Sequence, residues 1–186
     1  MTAATNDVKW FPMRVTYQRE MKVKNFLESQ GIECFVPMKE RISKNGGKII
    51  KEYVPAISNL IFVHSSQSVI TQIKQTTVEG QSLRYMMRPH LDKDMPSEII
   101  TVCDRDMANF IHVATGPSDM ITYLSSDELK AKINSRVVIT SGAFKGVEGV
   151  LKRINGNKHV VVELEGIGGI CINFIPKDFM IKREAD

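Results

Sequence analysis

The sequence predicts an α+β fold: an N-terminal sheet-and-helix sandwich followed by a small all-β barrel. Three observations carry that class. Strand-like and helix-like patterns interleave through residues 1–115. A stretch rich in Gly, Pro, Ser and Asp follows, with no sustained period, and reads as a flexible linker over residues 116–130. Beyond it, seven of the 12 glycines (142, 146, 149, 156, 166, 168 and 169) separate short β-branched segments, the pattern of a small barrel over residues 131–186.

The elements follow in order. Residues 9–17, KWFPMRVTY, suit a strand, with Pro12 favouring an edge or a bulge. Val23, Phe26 and Leu27 then make a helical stripe, and Gly31 is a natural stop. Residues 32–42 and 48–55 read as strands joined by a hairpin whose Asn-Gly-Gly tip is a strong turn signal. Residues 59–63, NLIFV, form a short apolar strand. Ser65 or Ser66 is placed to cap a helix carrying Val69, Ile70 and Ile73. Strands are expected at 82–88 and 99–102. Asp104 then reads as the N-cap of a helix with Met107, Phe110, Ile111 and Ala114 at i, i+3, i+4 and i+7. RVVIT, GVEGVLKRI, HVVVELE and GICINFI are the barrel strands.

Composition excludes several classes. The 186 residues are 42% hydrophobic and 25% charged, which is ordinary for a globular chain. No run approaches the ~18 apolar residues of a membrane span. MTAATNDVKW lacks the charged-then-apolar pattern of a signal peptide, which predicts a cytoplasmic protein. Cys34, Cys103 and Cys171 are scattered among apolar neighbours, so buried free thiols are expected rather than disulfides. The net charge of +4 lies in the first third. Residues 1–60 hold 10 Lys+Arg against 6 Asp+Glu, and the remainder is balanced. This basic excess of the first third hints at a polyanion partner. Lys39, Arg41, Lys44, Lys48 and Lys51 crowd the hairpin.

Signs of catalysis are missing. His64, His90, His112 and His159 have no metal-ligand spacing and no local acid partner, so no metal is expected. No phosphate-cradling loop, nucleophile elbow or metalloprotease motif occurs, and no cofactor is implied. Asp104 and Asp106 read as helix-start residues that favour the dipole. A binding protein is expected rather than an enzyme.

Two segments carry a resemblance. WFPMRVTYQREMKVKNFLESQGIECFVPM, followed by NLIFV after a basic hairpin, resembles the N-terminal domain of NusG-family transcription elongation factors. RVVITSGAFKGVEGVLKRINGNKHVVVELEG is similar to a KOW motif, with Gly142, Phe144, Gly146, Glu148 and Gly149 at the matching positions. Physically, Gly142 and Gly146 suit tight turns, and Phe144 between them can cap a barrel core. Within the superfamily, YLSSDELKAK, the NGNK turn and FIPKDF resemble the specialised RfaH-like factors, the UpxY antiterminators of capsular polysaccharide operons above all.

The resemblance implies the rest. It implies a transcription antitermination and elongation factor whose N-terminal domain binds the clamp helices of RNA polymerase. Leu60, Phe62 and Tyr85 match the contact positions. The residues themselves leave two destinations open for the Phe62 ring, the domain core or the pocket. Leu60 shares the face of Phe62, and Ile61 and Val63 take the other. Thr16, Tyr17, Arg19 and Lys22 match positions that touch the displaced non-template DNA; nascent RNA is a second polyanion they suit. The KOW domain implies a further, unidentified partner. Two features of relatives are not matched: Thr71-Gln72-Ile73 stands where RfaH has His-Thr-Thr, and the EGIGGI loop has no aromatic for a ribosomal contact. A KOW-containing RNA- or ribosome-binding protein is the alternative reading.

Overall fold

A computed structural model describes residues 7–90, 94–130, 133–154 and 156–183. They fall into two compact units. One comprises the residues up to Pro37 with Pro55–Asp104, and the other Met38–Val54 with the residues from Arg105 on. The first half of the chain runs β1 (Val8–Val15), α1 (Glu20–Ser29), β2 (Glu33–Phe35), β3 (Met38–Asn45), β4 (Lys48–Pro55), β5 (Leu60–Ser66), α2 (Gln67–Thr76) and β6 (Leu83–Tyr85). It continues through β7 (Met87–Arg88), β8 (Glu98–Ile99), α3 (Asp104–Ala114) and β9 (Ile121–Ser125). The last five strands are β10 (Ile133–Ile139), β11 (Glu148–Ile154), β12 (Asn157–Leu164), β13 (Gly168–Ile172) and β14 (Met180–Arg183). Sheet-and-helix layers followed by strands give the expected α+β class.

In the first unit the sheet order is β2-β5-β1-β6, all antiparallel. β1 is therefore an interior strand, not the edge that Pro12 suggests. β6 pairs only with Met13–Val15, so Pro12 lies past that pairing, where a residue without an N–H is tolerated. Ser66 caps α2, its hydroxyl accepting from the Val69 N–H at 3.4 Å.

β5 lies between β2 and β1 and is buried on both faces. Leu60 is 4% exposed, while Ile61, Phe62 and Val63 are at 0%. The contrast expected between 60/62 and 61/63 is thus absent from their exposure. Register separates the three residues matched to polymerase contacts. Paired residues on neighbouring strands point to the same face. Met13 pairs with both Ile61 and Tyr85, which puts Tyr85 on the Ile61 face, opposite Leu60 and Phe62.

The second unit holds an antiparallel six-stranded sheet, ordered β14-β10-β11-β12-β13-β9. The expected linker is partly strand. β9 pairs with β13 from Ile121↔Ile172 to Ser125↔Gly168. Leu124 and Leu129 join Val161 and Cys171 in an apolar cluster. The two leucines drive this, because burying them removes apolar area that an open linker would leave in water. β3, β4 and α3 also group with this unit rather than with residues 1–115. Asn109 accepts the Glu148 N–H at 3.2 Å, and the Tyr123 hydroxyl donates to the Met38 carbonyl at 3.3 Å.

The KOW positions have distinct physical roles. Gly142 and Gly146 adopt φ of 83° and 89°, which a side chain strains. Gly149 needs its lack of a Cβ for a different reason: one there would stand 2.8 Å from Val160 and 2.9 Å from the Val161 carbonyl oxygen. Phe144 is buried. Glu148 begins β11. Buried Lys152 donates to the Leu129 carbonyl at 2.5 Å and to Glu163 at 2.6 Å, so its charge is paired and hydrogen-bonded. Of the cysteines, Cys171 is buried, Cys34 is half-buried, and Cys103 is exposed, contrary to expectation. Cys103 follows Val102, which turns inward to bridge Trp10, and adjacent extended residues face opposite ways. Burial pushes the Cys34 and Cys171 thiols up to about 11.

Two stability measurements follow. Phe62→Ala is expected to cost about 3–5 kcal/mol in urea denaturation, as for a core aromatic; a midpoint matching wild type contradicts this packing. Gly149→Ala is expected to cost about 1–3 kcal/mol through overcrowding against β12; a neutral result places β11 and β12 farther apart.

Candidate nucleic-acid interface

Between β1 and α1 the chain makes a 3₁₀ turn, Thr16–Gln18, in an unusual conformation. Tyr17 and Gln18 are consecutive non-glycine residues with φ of 63° and 51°. Left-handed backbone of this kind costs of order 1–3 kcal/mol per residue and persists only where its surroundings enforce it. Here the enforcement comes from Asn59, just before β5. Its side-chain oxygen accepts the Gln18 N–H at 3.1 Å, and its carbonyl accepts the Val15 N–H at 2.9 Å. Asn59 is itself left-handed, at φ 61°, a conformation that Asn tolerates better than most residues. Its N–H donates to the carboxylate of Glu20. Glu20 is buried in the first turn of α1.

The result is a displayed aromatic. Tyr17 is 82% exposed, with the Arg19 guanidinium carbon 5.4 Å from its ring centroid. Among the described residues Arg19 has no carboxylate partner. Thr16 is half-buried at the base of the turn. Lys22 is exposed but shared, its ammonium 3.3 Å from Glu79. The Glu79 carboxyl is held below its ordinary value by a backbone hydrogen bond and then by Lys22. The four matched positions therefore cluster as one ring, one free cation, one paired cation and one hydroxyl. Such a set stacks a base and neutralises phosphate.

The matched polymerase positions do not cluster. Leu60 and Phe62 present almost no surface in this conformation. Tyr85 is half-buried against α2. Its hydroxyl lies 3.2 Å from that of Thr71, its ring meets Phe11 edge-on, and the Lys74 ammonium sits 4.1 Å from its centroid. Burial lowers the Lys74 ammonium's proton affinity, with Arg84 adding to it.

Two groups escaped the sequence reading. Glu20 was one, since a Glu at a helix start reads as a solvated dipole partner. His64 was the other. It stacks on Trp10 at 4.6 Å, with Glu33 2.7 Å from Nδ1 and Asp104 3.5 Å from Nε2. Both acids are distant in sequence, which is why the histidine seems unpartnered along the chain. Among the described residues no group of His, Cys, Asp and Glu is placed to hold a metal, and no helix is long and apolar enough to cross a membrane.

Glu20→Ala tests the support of the turn. It removes the acceptor of a half-buried N–H, at an expected cost of about 1–3 kcal/mol in thermal denaturation, and faster amide exchange at Gln18. Unaltered exchange there means that the turn is held by other contacts.

Two family models match the chain. The family model described as transcription termination factor nusG matches residues 8–110, and that of the KOW motif matches residues 133–165. No curated protein matches the chain. The first model spans more than half of the chain, including the whole four-stranded sheet and the displayed turn, and the second lies within the barrel sheet. The chain belongs to the NusG family, whose members act in transcription elongation and termination.

Proposed function

We propose that the protein is an antiterminating elongation factor of the RfaH-like, UpxY-like kind, acting on a polysaccharide biosynthesis operon. Its first unit binds the clamp helices of RNA polymerase, while the Tyr17 turn engages the displaced non-template strand. Holding the clamp in its active arrangement shifts a pre-existing equilibrium away from paused states. The shift is only as large as the difference in affinity for the two arrangements. The KOW barrel recruits a further partner.

The observation that carries this reading is the strained turn. An exposed tyrosine on consecutive left-handed residues beside Arg19 has no evident role in the core, and strain of this kind gathers at binding sites. Nothing in the site calls for bond-making chemistry. The polymerase contact is centred on the accessible face of Tyr85 and its neighbours. Leu60 and Phe62 support the sheet from within and position it.

The test is binding to a reconstituted elongation complex with an open non-template strand. Arg19→Ala combined with Lys22→Ala is expected to weaken binding and to make its salt dependence shallower by about one to two log–log units. Lys22 already shares its charge with Glu79, so most of the change should come from Arg19. Tyr17→Ala is expected to weaken binding with little change in slope, since stacking releases no counterions. Unchanged slope and affinity in both variants refute the nucleic-acid role. Co-sedimentation with ribosomes and no binding to polymerase supports the alternative, a ribosome-associated KOW protein.

A further inference from the structure

The β3–β4 hairpin is a second basic surface that the proposed function leaves unused. Its eight-residue strands are joined by Gly46-Gly47, at φ of 56° and 80°. That two-residue loop sets Asn45 opposite Lys48, and Arg41 therefore opposite Glu52. The Arg41–Glu52 ion pair, at 3.1 Å, agrees with this register. Between Met38 and Pro55 stand five cations and two carboxylates, a net +3 of the chain's +4. Both carboxylates are engaged along the ribbon, Glu52 by Arg41 and Glu40 by Lys51 at 2.9 Å. Among the described residues Lys39, Lys44 and Lys48 are exposed and in no ion pair.

The ribbon also displays apolar side chains. Ile42, Ile49 and Tyr53 are 60%, 66% and 72% exposed. In the register above they share one face with Lys44 and with the Glu40–Lys51 ion pair, while Lys39 and Lys48 lie on the other face. An isolated two-stranded hairpin gains little from such a face in water. Lysines interleaved with isoleucines are unlike the core of a protein–protein interface, where charge is depleted. On this face only Tyr53 can stack on a base, whereas a single-strand groove stacks successive bases on several aromatic rings. A two-stranded ribbon does fit the major groove of B-form DNA, about 12 Å wide, and eight residues extend roughly 27 Å along it. Aliphatic side chains there meet thymine methyl groups.

We propose that β3–β4 is a duplex-DNA-binding ribbon that enters the major groove with Ile42 and Ile49 against base edges, Lys44 reaching phosphate from that same face, and Lys39 and Lys48 reaching round from the other face to the phosphates that flank the groove. The inference does not depend on polymerase binding or on the Tyr17 turn, because its ligand is bare duplex.

The experiment uses the full chain and a labelled 30-base-pair duplex, titrated by fluorescence anisotropy between about 50 and 200 mM salt, beside a single strand of the same length. Lys44→Ala with Lys48→Ala is expected to lower duplex affinity roughly ten- to a hundredfold and to reduce the salt slope by about two. Ile42→Ser with Ile49→Ser is expected to lower affinity severalfold at unchanged slope. Melting temperatures read beside each titration should match wild type, since all four side chains are exposed. No duplex binding by wild type at the lowest salt overturns the proposal. So does a lysine variant with wild-type affinity and slope, or a single strand bound as tightly as the duplex. Self-association lost in the isoleucine variant while duplex binding persists would instead assign the face to a second copy of the chain.

Discussion

Glu20 is a buried carboxylate at the start of a helix, and its hydrogen bond from the Asn59 N–H ties the β1–α1 connection to the head of β5. The geometry of the displayed turn depends on that link. Asn59 holds Gln18 through its side chain and Val15 through its carbonyl. One residue thus fixes both ends of the left-handed turn. Burying an ionised group without partners is costly, so this carboxylate is tolerable only while it is hydrogen-bonded. The requirement is mutual: the turn needs Asn59 in place, and Glu20 needs the Asn59 N–H. A flexible recognition loop would lose conformational entropy on binding, and a turn already fixed in the free protein avoids much of that cost.

The two units use hydrogen-bonded buried charge in similar ways. In the second, Lys152 reaches the Leu129 carbonyl and Glu163, fastening the segment after β9 onto the barrel sheet. In each case a charge that could not be left alone in the interior holds a connection that would otherwise be loose. In each case also, the charged residue lies next to motif positions: Glu20 beside Thr16–Arg19, and Lys152 three residues past Gly149. Apolar packing sets the sheets, and these polar ties set where the connections lie on them.

Much of the fold was legible because its signals are local. The stripes of α1 and α3, the serine cap of α2, the Asn-Gly-Gly hairpin and the glycine-broken strands each lie within about a dozen residues. What was missed depends on distant partners. ITYLS looks like linker beside GPSDM and SSDE, and becomes a strand only because β13 offers an edge to pair with. His64 meets Glu33 and Asp104 across 31 and 40 positions of sequence. The placing of Tyr85 opposite Phe62 is a register relation through Met13, and no property of LRY carries it. At the nucleic-acid site the residue types were readable, whereas the backbone that displays Tyr17 was not, because aromatic residues rarely adopt that conformation.

β9 has a consequence for how the barrel is divided from the rest of the chain. It covers one edge of β13, whose five residues are all buried. A fragment starting at residue 131, where composition alone would begin the barrel, lacks that cover. It would present a bare, glycine-rich, apolar edge with unpaired N–H and C=O groups, which is a template for intermolecular strand addition. Such a fragment would be prone to domain swapping and aggregation for reasons unrelated to the barrel's own stability. A piece beginning before Ile121 keeps its edge closed.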